Sequence, residues 1–182
     1  MSERSTFLAS SHILSYGTLL GLQTYQTFVG GIIAFKTLPR PQFSTLQSAI
    51  FPVYFGLQTA LPFVLAITYP GERTIANSVP KGVVGLLAED NRVTTLLPIL
   101  ATFLSGLTNS LILRPATARV KRQREHQEIV DKKKYTDAPP HSEKMARLNK
   151  SFARLHGISS LVNIVGLAAT VYYGTVLAKR LD

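Results

Sequence analysis

The sequence predicts an all-α protein: a four-helix transmembrane bundle with a cytosolic helical hairpin between spans three and four. Three observations carry that reading. Only 16% of the 182 residues are charged and 46% are hydrophobic, whereas a soluble domain has about 25% charged residues. Mean hydropathy is +0.16. Four charge-free runs, residues 5–35, 41–71, 93–113 and 155–178, are long enough for the roughly 20 residues that a bilayer-crossing helix needs. Finally, most of the basic residues lie between the third and fourth runs, as cytosolic loops of membrane proteins do. Helices of a soluble bundle would carry Lys and Glu along a polar stripe, and these runs have none. A single integral membrane domain over residues 1–182 is expected.

The first span is placed at about residues 11–35. His12, Tyr16, Gln23, Gln26 and Gly30 fall on one helical face. Gly17 and Gly21 form a small-xxx-small pair on the opposite face, a pattern that lets helices pack closely. The run is too long for the apolar part of a signal peptide, and no small-residue cleavage site stands out. Arg4 is opposed by Glu3, so the start does not read as an Arg-rich, acid-poor presequence. An uncleaved signal-anchor is the expectation.

The second span is placed at about 43–69. That is too long for one straight crossing at about 1.5 Å per residue. Its first turns, "FSTLQSAIF", are expected along the membrane interface. Pro52 and Pro62 are expected to bend the helix, with neighbouring helices satisfying the freed carbonyls. The third span, about 93–113, carries Thr102, Ser105, Thr108 and Asn109 on one face.

The basic loop covers residues 114–154. Its first part, 114–134, reads as a helix continuing from the third span. Glu128 and Lys132 stand four apart, a spacing that supports an exposed helix. "YTDAPPHS" breaks it, because two prolines cannot continue a helix. Ser142 is positioned to cap a second helix, in which Met145, Leu148, Phe152 and Leu155 share a face. Arg147, Lys150 and Arg154 lie elsewhere around it. This pattern predicts a helix lying in the interface before the chain turns into the bilayer. Basic residues there would attract anionic head groups, at roughly 1 kcal/mol each. The fourth span follows at about 155–178.

Charge sets the expected orientation. With four crossings, one side holds 14 Lys and Arg and the other holds 6. The positive-inside rule places loops 36–42 and 114–154 in the cytosol, and both termini opposite. Nucleic acid is not an expected partner, because the charge is tied to the membrane at both ends. The mitochondrial outer membrane, an endomembrane and the plasma membrane are not separated by this pattern.

The chemistry is bounded by absences. There are no cysteines, so thiolate catalysis, disulfides and Cys-ligated metals are excluded. No Asp or Glu lies in any apolar run, which removes a buried carboxylate for acid–base work or a proton relay. Ser159 or Ser160 with His156 lacks a nearby acidic orienter. No glycine-rich phosphate cradle is present. A non-enzymatic protein without metal or cofactor is expected.

Polar residues inside the spans remain to be explained. In the fourth span His156, Ser159, Ser160, Asn163, Thr170 and Gly174 share a face. Counting about 1.5 Å per residue, Gln47, Asn109, Ser159, Ser160 and Asn163 fall in the cytosolic half. Gln26 falls near the midplane, and His12 lies near the opposite surface, out of reach of His156. Two readings follow. One is a lipid or ligand pocket opening toward cytosolic head groups, built from Gln26, Gln47, Asn109, Arg114, Arg154, His156, Ser159, Ser160 and Asn163. The other is a hydrogen-bonded clasp between helices. The expected function is engagement of membrane lipids, including anionic head groups, or of membrane-protein partners or a second copy. The alternative is a small transporter for polar or anionic solutes. That path needs polar residues through both leaflets, and the non-cytosolic half offers only His12, Gln58 and scattered Ser and Thr.

Four stretches also carry a family resemblance: "LQTYQTFVGGIIAFKTLPR", "LQSAIFPVYFGLQ", "TNSLILRPATARVKRQRE" and "LNKSFARLHGISSLVNI". Together they resemble the transmembrane protein 205 family over nearly the whole chain except residues 70–92. The resemblance implies a four-span membrane protein and supplies no catalytic residues.

Overall fold

The computed structural model describes residues 3–73 and 78–179. Helix α1 (Glu3–Tyr25) runs through a π-helical segment, Gln26–Gly30, into α2 (Gly31–Thr37). Helix α3 (Arg40–Ile67) follows. A two-residue antiparallel ladder, β1 (Glu72–Arg73) with β2 (Ser78–Val79), and short helix α4 (Gly82–Leu86) fill the next connection. Helix α5 (Leu97–Thr108) continues through a π segment, Asn109–Leu113, into α6 (Arg114–Asp131). Helix α7 (Glu143–Ala178) ends the described chain.

Three helices are long and apolar enough to cross a membrane: Arg40–Ile67, the composite Glu89–Asp131, and Glu143–Ala178. The protein is therefore an all-helical, multi-pass membrane protein. The helix over residues 3–37 is not among the three. Its polar residues, His12, Gln23 and Gln26, dilute its apolar content.

Two of the π segments end two residues before a proline. Proline lacks an N–H, and its ring clashes with the carbonyl four residues earlier. For Pro115 that carbonyl belongs to Leu111, inside the segment Asn109–Leu113. For Pro98 it belongs to Thr94, inside a second π segment, Arg92–Leu96. A widened turn relieves both clashes. At Gln26–Gly30 the widened turn brings the Gln26 carbonyl oxygen to 3.1 Å from where a Cβ on Gly31 would stand, an approach that glycine accommodates.

Glycine also sets the helix spacing. A Cβ on Gly166 of α7 would stand 2.6 Å from Ser105 Oγ of α5. One on Gly106 of α5 would stand 2.9 Å from the Thr59 backbone nitrogen of α3. Helix α5 thus sits pressed between α3 and α7. Leu19, Leu65, Tyr69, Leu86, Ile99, Tyr173 and Leu177 form the apolar core at one end of the bundle. The connection after α3 folds across that end and contributes Leu86. It is pinned by Gly82 N–H to the Tyr69 carbonyl (2.8 Å) and by Asn91 Nδ2 to the Gly85 carbonyl (2.9 Å).

One expectation needs correction. The basic segment before the last span is not a separate interfacial helix that turns at Leu155. Helix α7 is unbroken over 36 residues, about 54 Å at 1.5 Å per residue, against roughly 30 Å of hydrocarbon. No proline interrupts it. Its first turns project past the apolar run and pair with α6. Met145 is buried there, and the Phe152 ring lies under the Arg124 guanidinium. The apolar face that reads as lipid-facing is covered by the neighbouring helix instead.

Candidate functional site

Polar side chains form layers through the bundle. Gln26 Nε2 donates to Gln47 Oε1 (3.1 Å), joining the first helix to α3. Ser159 Oγ donates to Asn109 Oδ1 (2.6 Å), joining α7 to the start of a π segment. Asn163 accepts from the Tyr54 hydroxyl (2.6 Å) and donates to Thr27 Oγ1 (2.9 Å), so it ties three helices together. Ser105 Oγ donates to the Val162 carbonyl (2.7 Å) and accepts from Gln58 Nε2 (3.3 Å). Thr102 and Thr170 hydroxyls meet at 3.1 Å. At the far end His12 is fully buried, with Nδ1 3.1 Å from Thr68 Oγ1 and Nε2 2.6 Å from the Tyr173 hydroxyl.

Along α7 these contacts run from Ser159 to Tyr173, about 21 Å of a roughly 30 Å hydrocarbon layer. The polar set is therefore not concentrated in one half, as the sequence reading had it. Tyr173, Thr95, Thr68 and Asn91 add buried polar groups near the His12 end. Nothing in the local sequence pairs His12 with Tyr173, which is 161 residues away.

The nine residues expected at a pocket do not converge on one point. Gln26 meets Gln47, and Asn109 meets Ser159. Asn163 binds its own partners one turn further along. His156 and Ser160 are exposed, and His156 stacks on Phe152 with ring centroids 6.2 Å apart. Arg114 and Arg154 are exposed as well. The inward stripe of α7 follows Ser159, Asn163, Gly166, Thr170, Tyr173 and Leu177. At about 100° per residue, His156 lies about 60° and Ser160 about 100° round from Ser159, which takes both to the outer edge.

Several buried amide atoms have no hydrogen-bond partner among the described residues: both of Gln23, Nε2 of Gln47, Oε1 of Gln58 and Nδ2 of Asn109. A small cavity of about 10 Å³ lies beside Leu19, Pro62, Thr102 and Tyr173. That is room for about one water.

The hairpin of α6 and the start of α7 is organised differently. Residues 114–154 hold twelve Lys and Arg and five Asp and Glu. Arg124 is buried between the helices, its guanidinium 3.7 Å from the Tyr135 ring centroid and 4.5 Å from that of Phe152. Burial holds its pKa below the ordinary arginine value. At the tip, Asp131 accepts from Ser142 Oγ (2.6 Å) and Gln127 Nε2 (2.7 Å). Ser142 Oγ in turn caps α7 by accepting from Met145 N–H (3.2 Å).

A groove of about 370 Å³ opens between the two helices, lined by Arg119, Arg122, Gln123, His126, Lys144 and Leu148. None of these was among the expected site residues. The spacing of Arg119, Arg122 and His126 places them on one face of α6, and that was the available signal.

The fold and these two polar regions define a multi-pass helical membrane protein with an uncharged polar core and a basic hairpin. Residues 14–126 match the family model described as a domain of unknown function, DUF4149. The match covers more than half of the chain, which therefore belongs to the DUF4149 family. The chain is also similar to the xanthocillin biosynthesis cluster protein D of Aspergillus fumigatus, 29% identical over 179 residues, 98% of this chain and 94% of that protein. No solved structure matches. These matches overturn the expected membership of the transmembrane protein 205 family, which they do not support.

Proposed function

We propose that the chain is a four-span, non-enzymatic membrane protein whose polar core holds the helices in register. Its working surface is the basic α6–α7 hairpin, presented to the cytosol to engage anionic lipid head groups or acidic faces of membrane-protein partners. The observation that carries this is a contrast in satisfaction. Core hydroxyls and amides bond mostly to one another, whereas exposed hairpin cations exceed the acids available to pair with them.

The fourth crossing is the helix over residues 3–37. It turns His12, Leu19 and Gln23 inward and leaves Leu14, Phe28, Ile32 and Ile33 exposed, as a lipid-facing surface requires. The 14-to-6 split of Lys and Arg supports a cytosolic hairpin. The membrane concerned is the mitochondrial outer membrane, an endomembrane or the plasma membrane. The relative is named for a xanthocillin biosynthesis cluster, and a hairpin that docks a partner at a membrane would suit such a setting.

A second reading, a small permeation component for polar or anionic solutes, draws on the layers that cross both halves and on the unpartnered amide atoms of Gln23, Gln58 (Oε1) and Asn109 (Nδ2). Close packing at Gly106 and Gly166 weighs against it.

The test uses the full-length protein in nanodiscs of neutral lipid. It should capture vesicles containing phosphatidylserine, not vesicles of phosphatidylcholine alone. Capture should weaken as ionic strength rises and vanish when six hairpin cations become Gln. Equal capture of both vesicle types would overturn the reading.

A further inference from the structure

We propose that the groove between α6 and α7 is a binding site for a phosphate-bearing polyanion, held by Arg119, Arg122, His126 and Lys144. The proposal rests on the hairpin being the working surface and names the chemistry that surface selects.

Placement comes first. At about 100° per residue, Arg119, Arg122, Gln123 and His126 fall within about 100° of one another on α6. From Arg119 to His126 they cover about 10 Å along the axis. Lys144 and Leu148 of α7 form the facing wall. The result is a cleft with cations on both sides, rather than a basic stripe on one helix.

Pairing comes second. Glu125 is taken by Lys121 (3.8 Å), and Glu143 by Arg147 (3.1 Å). Glu128 accepts from the Tyr135 N–H (2.8 Å). Asp131 is held by Ser142 and Gln127, and Asp137 accepts from the Lys134 N–H (2.8 Å). Lys144 acts on Asp131 only through space. Among the described residues, Arg119, Arg122 and Lys144 form no ion pair, and none of the four forms a side-chain hydrogen bond. The hairpin's acids are occupied, and the groove cations keep their donors available.

Rigidity comes third. Arg124, on the same helix, points the other way and is buried over Tyr135 and Phe152. That contact, with buried Met145, fixes α6 against α7, so the walls of the groove are held before a ligand arrives.

The donor set selects the anion. Two guanidinium forks suit bidentate contact to phosphate oxygens, and the lysine adds a point charge. A single carboxylate would leave most of these donors unused. Depth allows two sources. Arg119 lies about 8 Å and His126 about 18 Å beyond Arg114, where the apolar run ends. The head-group layer reaches only about 5–8 Å past the hydrocarbon. Phosphates on a tall lipid head group can enter from below, and a soluble polyphosphate can enter from the cytosol.

The test uses full-length protein in nanodiscs of phosphatidylcholine, titrated with tripolyphosphate, and separately in nanodiscs doped with phosphatidylinositol 4,5-bisphosphate. Saturable binding to at least one source is expected. Arg119→Gln/Arg122→Gln should weaken it about tenfold or more, as loss of charge-assisted contacts implies. Lys144→Gln should also weaken it. Lys134→Gln/Lys150→Gln removes the same charge away from the groove and should leave affinity nearly unchanged. Groove-dependent binding only in doped nanodiscs assigns a lipid source, and groove-dependent binding of tripolyphosphate alone assigns a soluble one. Equal loss in both double variants, or no binding to either source, overturns the proposal. If phosphatidylserine vesicles are still captured in that case, the broader reading of the hairpin stands. If capture is lost too, both fall.

Discussion

Helix α7 passes through two environments, and its polar atoms behave differently in each. From Ser159 to Tyr173, Ser159, Asn163, Thr170 and Tyr173 each bond to a side chain of another helix. From Lys144 to Arg154, Lys144, Lys150 and Arg154 have no ion-pair partner among the described residues. In hydrocarbon an unsatisfied polar group costs several kcal/mol, so partners must be built in. In water the solvent supplies them, and the side chain stays free for a ligand. Polarity in the first stretch therefore reports on structure, and polarity in the second reports on recognition.

The largest effect that sharpens this comparison comes from two glycines on the same helix. Gly166→Val places its Cβ 2.6 Å from Ser105 Oγ, while a Cβ on Gly157 meets nothing within 4 Å. Overpacking of this kind costs about 3 kcal/mol, so Gly166→Val should melt far below the wild type in detergent. Gly157→Val should melt near it. Similar melting temperatures would mean that α5 and α7 are not in close contact.

A smaller effect separates bonding from binding. Asn163→Leu removes its bonds to the Tyr54 hydroxyl and to Thr27 and should cost about 1 kcal/mol, within the range for interhelical hydrogen bonds in membranes. Co-purifying anionic lipid, read by mass spectrometry, should not change. Arg154→Gln should do the reverse, with stability kept and lipid retention lowered in a salt-dependent way. A loss of lipid in Asn163→Leu would restore the pocket reading.

Much of this architecture was legible in the sequence, because charge-free runs long enough to cross a bilayer have few other uses. The facing of Asn109 toward Ser159 was also legible, since both fall on polar helical faces. Three things were hidden. The inward stripe of α7 is centred nearer Ser159 than His156, and a face drawn through all its polar residues includes two that point out. Helix α6 covers Met145 and Phe152, so an amphipathic pattern that suits lipid is used for a helix. The His12 layer joins residues far apart in the chain, and local pattern carries no information on such pairs.

Within the hairpin, Arg124 is the exception that behaves like a core residue. Arg124→Met keeps much of its length and removes the contact with two rings, worth about 1 kcal/mol. Amide exchange should rise over residues 143–152 and stay slow over 159–173, because only the first stretch depends on that contact. Faster exchange in both stretches would show that the hairpin and bundle open as one unit.

The smallest effect concerns the tip. The hydrogen bond from Ser142 is the main cause that holds the Asp131 carboxyl below the ordinary carboxylate value. Gln127, His141 and Lys144 act in the same direction, and burial opposes them. A pKa lower in the folded than in the unfolded chain means the ionised form is favoured by folding. Its contribution is complete above the ordinary carboxylate value of about 3.9 and is lost as pH falls below it toward the folded value. Ser142→Ala removes the main cause, so Asp131 should titrate closer to the ordinary value and α7 should lose its cap. The measurement is a carboxyl-carbon NMR titration of Asp131 in both proteins. The part of acid weakening that Asp131 causes should appear in the hairpin, where its partners Ser142 and Gln127 lie. An unshifted Asp131 in the wild type would mean that the tip is open in solution, and the hairpin would then lose the restraint that joins its two helices at that end.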